Sequence, residues 1–398
     1  MQEKIEATEA KARLVDIFFV FLKMGVTSFG PSMIVEVKKL VVRRKGWLQE
    51  QEVLNGLALA QFLPGATYGN FAVFLGYRIR TLEGAIASFL GFILPPFTMM
   101  VVLSYLYFQY SDIPIVMTMI RGLQAIVVAL IANAVWDLAK LVIKDWQALL
   151  ILAISIILGW INHNIFLSLF CAGLLSIGLY RPWRNKGNQF KELSDNKNDH
   201  YWREVIVILL VLCAILAISA FNPLIQKIEV VFFKIGFLVF GNGFTMIPLI
   251  QHEVVNVYHW LDDSQFRVGI ALGQITPGPV VITATFVGYK VFGLLGALAA
   301  TLGIFAPSFL LVVLVMPFYH RLREHAWVKV IFNGVLVAFV GLMLIVLFDM
   351  SKQSLVDPLT ICFALFTLIS LRVWKVDVLW VVLGGTSLYL FCVNVLNL

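Results

Sequence analysis

Charge is what this sequence has least of. Only 13% of its 398 residues are Asp, Glu, Lys or Arg, against 60% hydrophobic residues. A soluble domain of that length covers its core with far more polar surface, so a water-soluble fold is excluded. Cysteine is scarce and badly placed for chemistry. Cys171, Cys213, Cys362 and Cys392 all lie in apolar runs. Without two-Cys metal spacing or a loop pair, they read as small hydrophobes. The six histidines form no HExxH or similar ligand spacing. Nucleotide-binding loops and nucleophile motifs are missing too, which argues against an enzyme, against a cofactor or metal, and against ATP-driven transport by this chain alone. No cleavable signal peptide is read: Met1 to Arg13 are charged and helix-compatible, and no small-residue cleavage site follows.

What is present is apolar length. The mean hydropathy is +0.90. Roughly thirteen apolar segments recur along the chain, many long enough to span a bilayer. The expected fold class is an all-α polytopic membrane protein. One long polar stretch interrupts it, Arg181 to Arg203, rich in Asn, Lys and Asp, which reads as a linker. The formal net charge of +7 reflects cytoplasmic loops, not a nucleic-acid surface.

On either side of the linker the sequence repeats. Tyr77 to Phe97 aligns without gaps to Tyr289 to Phe309, pairing Gly84 with Gly296, Gly91 with Gly303 and Pro95 with Pro307. The same register carries Gly122 onto Gly334, Asp137 onto Asp349 and Lys140 onto Lys352. Upstream, shifted by one, Trp47 matches Trp260, Gln61 matches Gln274, and Pro64-Gly65 matches Pro277-Gly278. Further up, Lys23, Gly25, Phe29 and Gly30 match Lys234, Gly236, Phe240 and Gly241. Shared apolar composition does not place Gly, Pro, Gln, Lys and Asp in one register. The expected organisation is a first repeat over 1–180, a polar linker plus connecting helix over 181–225, and a second repeat over 226–398. The extra apolar segment 204–221 makes the number of crossings between the copies odd, so the second is expected inverted.

Lys and Arg in short loops orient the chain with its N-terminus cytoplasmic, in the plasma or inner membrane. One loop conflicts: Lys38, Lys39, Arg43, Arg44 and Lys45 would fall outside if 14–34 crossed fully. The conflict vanishes if 14–50 and 51–77 are re-entrant hairpins turning at Gly30-Pro31 and Pro64-Gly65.

Four helix-breaking clusters mark the chemistry: Phe29-Gly30-Pro31-Ser32, Leu63-Pro64-Gly65-Ala66, Phe240-Gly241-Asn242-Gly243 and Thr276-Pro277-Gly278-Pro279. Breaking a helix in lipid frees backbone groups, which is tolerated where they line a cavity. The N-terminal end of a half-helix then offers free N–H groups and partial positive charge to an anion. Ser28, Ser32, Gln61, Thr67, Asn70, Thr245, Gln274 and Thr276 lie beside the breaks. Lys23 and Lys234 are equivalent cations inside apolar runs, and a converging pair could hold a divalent anion; snorkelling to the interface is the plainer alternative. Asp137 and Asp349 are the candidate coupling residues, with helix-end salt pairing as the alternative.

These motifs resemble the chromate ion transporter family. The features are Phe29-Gly30-Pro31, where the family favours FGGP, Gln61 to Gly65 (QFLPG), Gly273 to Pro279 (GQITPGP), and the Trp47-Leu48 and Trp260-Leu261 pairs. The resemblance covers both halves and implies two fused domains of opposite orientation. It implies a secondary transporter exporting a divalent tetrahedral oxyanion, chromate foremost, coupled to an ion gradient. Sulfate or another oxyanion, taken up, is the alternative cargo; a passive anion channel is the alternative mechanism. The expected partners are that anion, the lipid bilayer and a second copy of the chain.

Overall fold

The computed structural model describes residues 12–28, 32–162, 165–180, 203, 205–210, 219–239, 243–316 and 326–396. The linker Arg181 to Trp202, and Gly30, Pro31, Gly241 and Asn242 among the break residues, lie outside them. The described residues form helices and connecting turns, which satisfy the backbone of long apolar runs internally. Five helical stretches are long and apolar enough to cross a membrane: Thr67–Tyr110, Pro114–Val142, Val280–Val315, Lys329–Ser354 and Val378–Val395. The chain is a multi-pass membrane protein.

Five is fewer than the apolar segments suggest: Trp146–Ile161, Ile165–Tyr180 and Pro358–Arg372 are apolar but shorter, and other segments are halves of hairpins. Helix α1 (Leu14–Thr27) is followed by α2 (Ser32–Val37), which widens into a π-turn over Lys38–Arg44. The Lys45 ammonium then lies 3.5 Å from the carboxylate of Asp16, so the strand of chain that left at Asp16 has come back. The basic run 38–45 therefore sits at the same end as the start of α1. With 14 residues, α1 is about 21 Å long, short of the about 30 Å of a hydrocarbon core. The next hairpin joins α3 (Glu50–Phe62) to the first arm of α4 (Thr67–Tyr110). Glu52 pairs with Arg78 at its open end, and Gly56 admits the Phe74 ring between the arms.

Helix α4 itself folds back. Arg80 and Thr81 leave helical geometry, at φ/ψ −154/51 and 44/−144. The arms then meet so closely that Gly76 and Gly84 face each other, and the Ser88 hydroxyl donates to the Ala72 carbonyl at 2.9 Å. Beyond it come α5 (Pro114–Val142), α6 (Trp146–Asn162) and α7 (Ile165–Tyr180).

After the linker the same sequence of shapes returns. Helix α8 (Pro223–Leu238) is followed by α9 (Met246–Gln251) and a π-turn over His252–Val257. Lys227 near the start of α8 lies over the Tyr258 ring, closing that hairpin. Helix α10 (Asp263–Ile275) opens with a capping box at Asp262 and Gln265, where α3 opens with one at Gln49 and Glu52. Helix α11 (Thr283–Val315) kinks at Phe292 and Gly293, φ/ψ −147/37 and 55/−144, nearly the dihedrals of Arg80 and Thr81. Helices α12 (Ala326–Ser354), α13 (Pro358–Arg372) and α14 (Val378–Leu396) complete the chain.

Small residues bring these helices together, as they do where lipid offers no hydrophobic drive between apolar faces. A Cβ on Gly25 would sit 2.5 Å from the Phe92 carbonyl oxygen, and one on Gly91 2.5 Å from that of Phe18. The matching pair of contacts recurs at Gly236 on Ile304 and Gly303 on Glu229, at 2.2 and 2.6 Å. The halves interlock. Helix α5 packs on α13 and α14, and α12 packs on α6 and α7. Helices α5 and α12 also pack on each other. Arg267 bonds Gln124, near the N-terminal end of α5, and Gln353, at the C-terminal end of α12.

Candidate functional site

The turns of the hairpins meet in pairs, each pair drawn from both halves. The N–H of Gly65 donates to the carbonyl of Val239 at 2.6 Å, and the N–H of Gly278 donates to the carbonyl of Ser28 at 2.9 Å. Backbone groups freed by a break in one half are thus satisfied by the break in the other, which is what allows them inside a membrane protein. Glycine is required at both positions. Gly65 has φ 109 and a Cβ there would meet the Ser308 hydroxyl at 2.1 Å; Gly278 has φ 93 and would meet Pro96 at 3.1 Å. The Ser308 hydroxyl instead accepts from the N–H of Ala66 at 3.0 Å.

Around these tips the polar side chains divide into spent and unspent groups. Asn70 is buried and its amide donates to the carbonyls of Ala60, Leu63 and Pro64, closing off the C-terminal end of α3. Thr276 donates to Gly273 at 3.1 Å. Thr67, Thr245 and Gly243 are buried, and Pro64 is half-buried. Three buried atoms at the tips remain without a partner, and one of them, the Asn70 amide oxygen, is an acceptor. The Ser28 hydroxyl, on a residue 1% exposed, and the Gln274 amide nitrogen, on a residue 8% exposed, bond to nothing. Both belong to the pair of tips joined through Gly278. An unsatisfied buried donor costs about 1–3 kcal/mol. Gln61, the residue matching Gln274, is exposed.

The two lysines do not behave alike. The Lys234 ammonium lies 2.8 Å from Glu253, a carboxylate 4% exposed, and 4.0 Å over the Phe166 ring. Its charge is already answered by the protein. Lys23 is exposed on α1. The two aspartates also differ. Asp137 pairs at 3.0 Å with Arg372, which also donates to the carbonyl of Asn133. Asp349 lines a polar cavity beside α12. The exposed end of the first hairpins is held by ordinary surface pairs. There the Lys38 ammonium beside Glu50 keeps that carboxyl below its usual range.

Reasoning from sequence missed Arg267. It is 5% exposed, the one buried lysine or arginine among the described residues. Its guanidinium donates to Gln353 at 2.6 Å and reaches Gln124 at 3.5 Å, and its Nε–H has no partner. Gln124 goes on to Ser264 at 2.7 Å, and Gln353 to Asp263 at 3.2 Å. The signal was available: the matching position in the first half is Leu54, so a cation stands where its counterpart is apolar.

With the paired tips in place, comparison with known proteins becomes informative. The chromate transporter family model matches twice, over residues 15–177 and 226–390. The chain belongs to the chromate transporter family. It is 29% identical to a chromate transport protein of Cupriavidus metallidurans, over 91% of this chain and 88% of that protein. It is 33% identical to an uncharacterized transporter of Methanocaldococcus jannaschii, over 89% of this chain and 90% of the relative. A probable chromate transport protein of Synechococcus elongatus is 30% identical over 89% of this chain and 88% of its own length. No solved structure matches. The family is one of transporters, and its two matches fall on the two halves whose hairpin tips meet.

Proposed function

We propose that this chain is a secondary transporter, not an enzyme, that exports a divalent tetrahedral oxyanion, chromate foremost, at the expense of an ion gradient. The observation that carries the reading is the crossed pairing of hairpin tips with unspent donors beside it. An oxyanion is all acceptor. Ser28, Gln274 and the first N–H groups of the half-helices are all donors, and the half-helix starting at Thr67 adds partial positive charge.

In this reading the units 1–180 and 226–398 are inverted copies joined by 181–225, in the plasma or inner membrane with the N-terminus cytoplasmic. The two family matches support the duplication, and the odd number of apolar segments between the copies supports the inversion. Alternating access is then a rocking of one copy against the other around the paired tips. Chromate is favoured because relatives of nearly equal length carry that name; sulfate has the same shape and charge. Lys23 supplies long-range attraction on the approach, and Lys234 is a structural ion pair.

The test is radiolabelled chromate and sulfate uptake into inverted membrane vesicles, with and without a pH gradient. Gradient-driven chromate accumulation that falls about tenfold or more in Gln274→Leu, the cost of roughly one lost charge-assisted hydrogen bond, supports the reading. Equal flux without any gradient points to a passive channel, and absence of flux removes the proposal.

A further inference from the structure

We propose that helix α3 is a gate standing open in this structure, and that it closes on α12 and α7 by setting Leu54 against Leu336 and Leu141 while its counterpart α10 lets go. This rests on the reading of two inverted copies that rock, and adds the residues that meet in the second state.

Most packing is matched between the halves. Helix α1 lies on α4 as α8 lies on α11, and α5 lies on α13 and α14 as α12 lies on α6 and α7. Helices α3 and α10 break the match. Helix α10 packs on α5 and on α14. The counterparts of those two are α12 and α7. Among the described residues α3 has no packing of comparable extent with either, and rests instead on α4 and on the π-turn after α2. Exposure follows the packing. Arg267 and Gln274 stand seven residues apart, nearly two whole turns, so they share one face of α10, and both are buried. Leu54 and Gln61 hold the same positions on α3, and both are exposed. The short helices in front of them differ in the same sense. All of α9 is buried, whereas Val35 on α2 is 67% exposed.

The contacts that shut α10 name those that would shut α3. Arg267 donates to Gln353 on α12 at 2.6 Å and reaches Gln124 on α5 at 3.5 Å. In the register of the repeat, Arg267 corresponds to Leu54, Gln124 to Leu336 and Gln353 to Leu141. A polar set of three in one half is thus a set of three leucines in the other. In this structure Leu54 is 41% and Leu141 62% exposed, and Leu336 is half-buried. Where the open side admits water, closing α3 hides apolar surface. Opening α10 trades guanidinium–amide bonds for bonds to water at modest net cost. One movement offsets the other. With α3 open, the hairpin tips are reached from the side that carries Lys38, which pairs with Glu50 at the head of α3. With α10 open, they are reached past Arg267.

The experiment uses the full chain with Cys171, Cys213, Cys362 and Cys392 replaced by alanine, in inverted vesicles with radiolabelled chromate. Two pairs are tested with a short, reducible, bifunctional thiol reagent: Leu54→Cys with Leu336→Cys, and Leu54→Cys with Leu141→Cys. Each should link within one chain and block chromate uptake, and reduction should restore it. Adding Arg267→Gln should raise the initial rate of linking about fivefold, the shift for one hydrogen bond lost from the competing state. An arginine that serves folding alone would lower the amount of protein without raising the rate per molecule. If Arg267→Gln does not reach the membrane, Gln124→Leu takes its place. No link in either pair while uptake continues, a link that leaves uptake untouched, or a rate unmoved by loss of the Arg267 bonds overturns the proposal. So does a link between two chains, which would mean that a second copy covers α3. Absence of chromate flux in the unmodified protein removes the transporter reading instead.

Discussion

The two halves of this molecule agree where backbone must fit backbone and differ in what their charged side chains meet. The hairpin kinks share dihedrals within about 15°, at Arg80-Thr81 and Phe292-Gly293. The glycine contacts of α1 on α4 recur in α8 on α11. Against that, Leu54 faces Arg267 across the alignment, Asp137 is locked where Asp349 lines a cavity, and Lys234 has a buried partner in Glu253. The difference teaches a division of labour. Close packing constrains both copies equally, because a carbonyl 2–3 Å from a would-be Cβ leaves no choice of residue. Polar work needs doing once, so only one copy retains it.

Substituting each residue by its counterpart breaks this comparison most directly. Arg267→Leu installs the first half's residue, leaves the buried Gln124 oxygen without its guanidinium and removes the bridge to the exposed Gln353. It should cost about 3 kcal/mol, the scale for orphaning buried partners of a charged group, read as a lowered unfolding temperature in detergent. The reverse change, Leu54→Arg, puts a cation at a site already 41% exposed and should leave the unfolding temperature nearly unchanged. A smaller asymmetry is expected at the tips. Gly65→Ala meets the Ser308 hydroxyl and an unfavourable φ together, and should lose about 2–3 kcal/mol and most transport. Adding Ser308→Gly should recover part of it. Gly278→Ala, against Pro96 at 3.1 Å, should lose less. Smallest is the kink. Thr81 holds φ 44, a conformation suited to glycine, so Thr81→Gly should gain about 1 kcal/mol and Gly293→Thr lose a similar amount. Equal responses of the two halves in all three comparisons would undo the division of labour.

The hairpins were legible in the sequence because Pro-Gly breaks and a misplaced basic run both leave marks in one dimension. The break residues Ser28 and Gln274 were legible for the same reason. What the sequence hid depends on partners brought from far along the chain. Lys234 looks like a free intramembrane cation until Glu253 is found beside it, and Glu253 sits in a stretch that reads as an outer loop. Asn70 reads as an anion ligand, yet its amide is consumed by three carbonyls of the adjacent helix end. Lys140 was the natural partner for Asp137 by spacing, but Arg372 reaches it from the other half, and Lys140 lies over Trp136 instead. Arg267 was overlooked because one arginine near a capping box resembles any surface helix start.

The crossed hydrogen bonds at Gly65 and Gly278 also govern how the protein can be made. The first half leaves the ribosome with the Ser28 carbonyl and the Gly65 amide committed to residues not yet synthesised. Until the second half is inserted, those groups face lipid or borrow water, so neither half has a finished interior of its own. The tips are therefore completed only once Val239 and Gly278 have been made. A chain cut short before Val239 leaves the Gly65 amide at the hairpin tip without this partner.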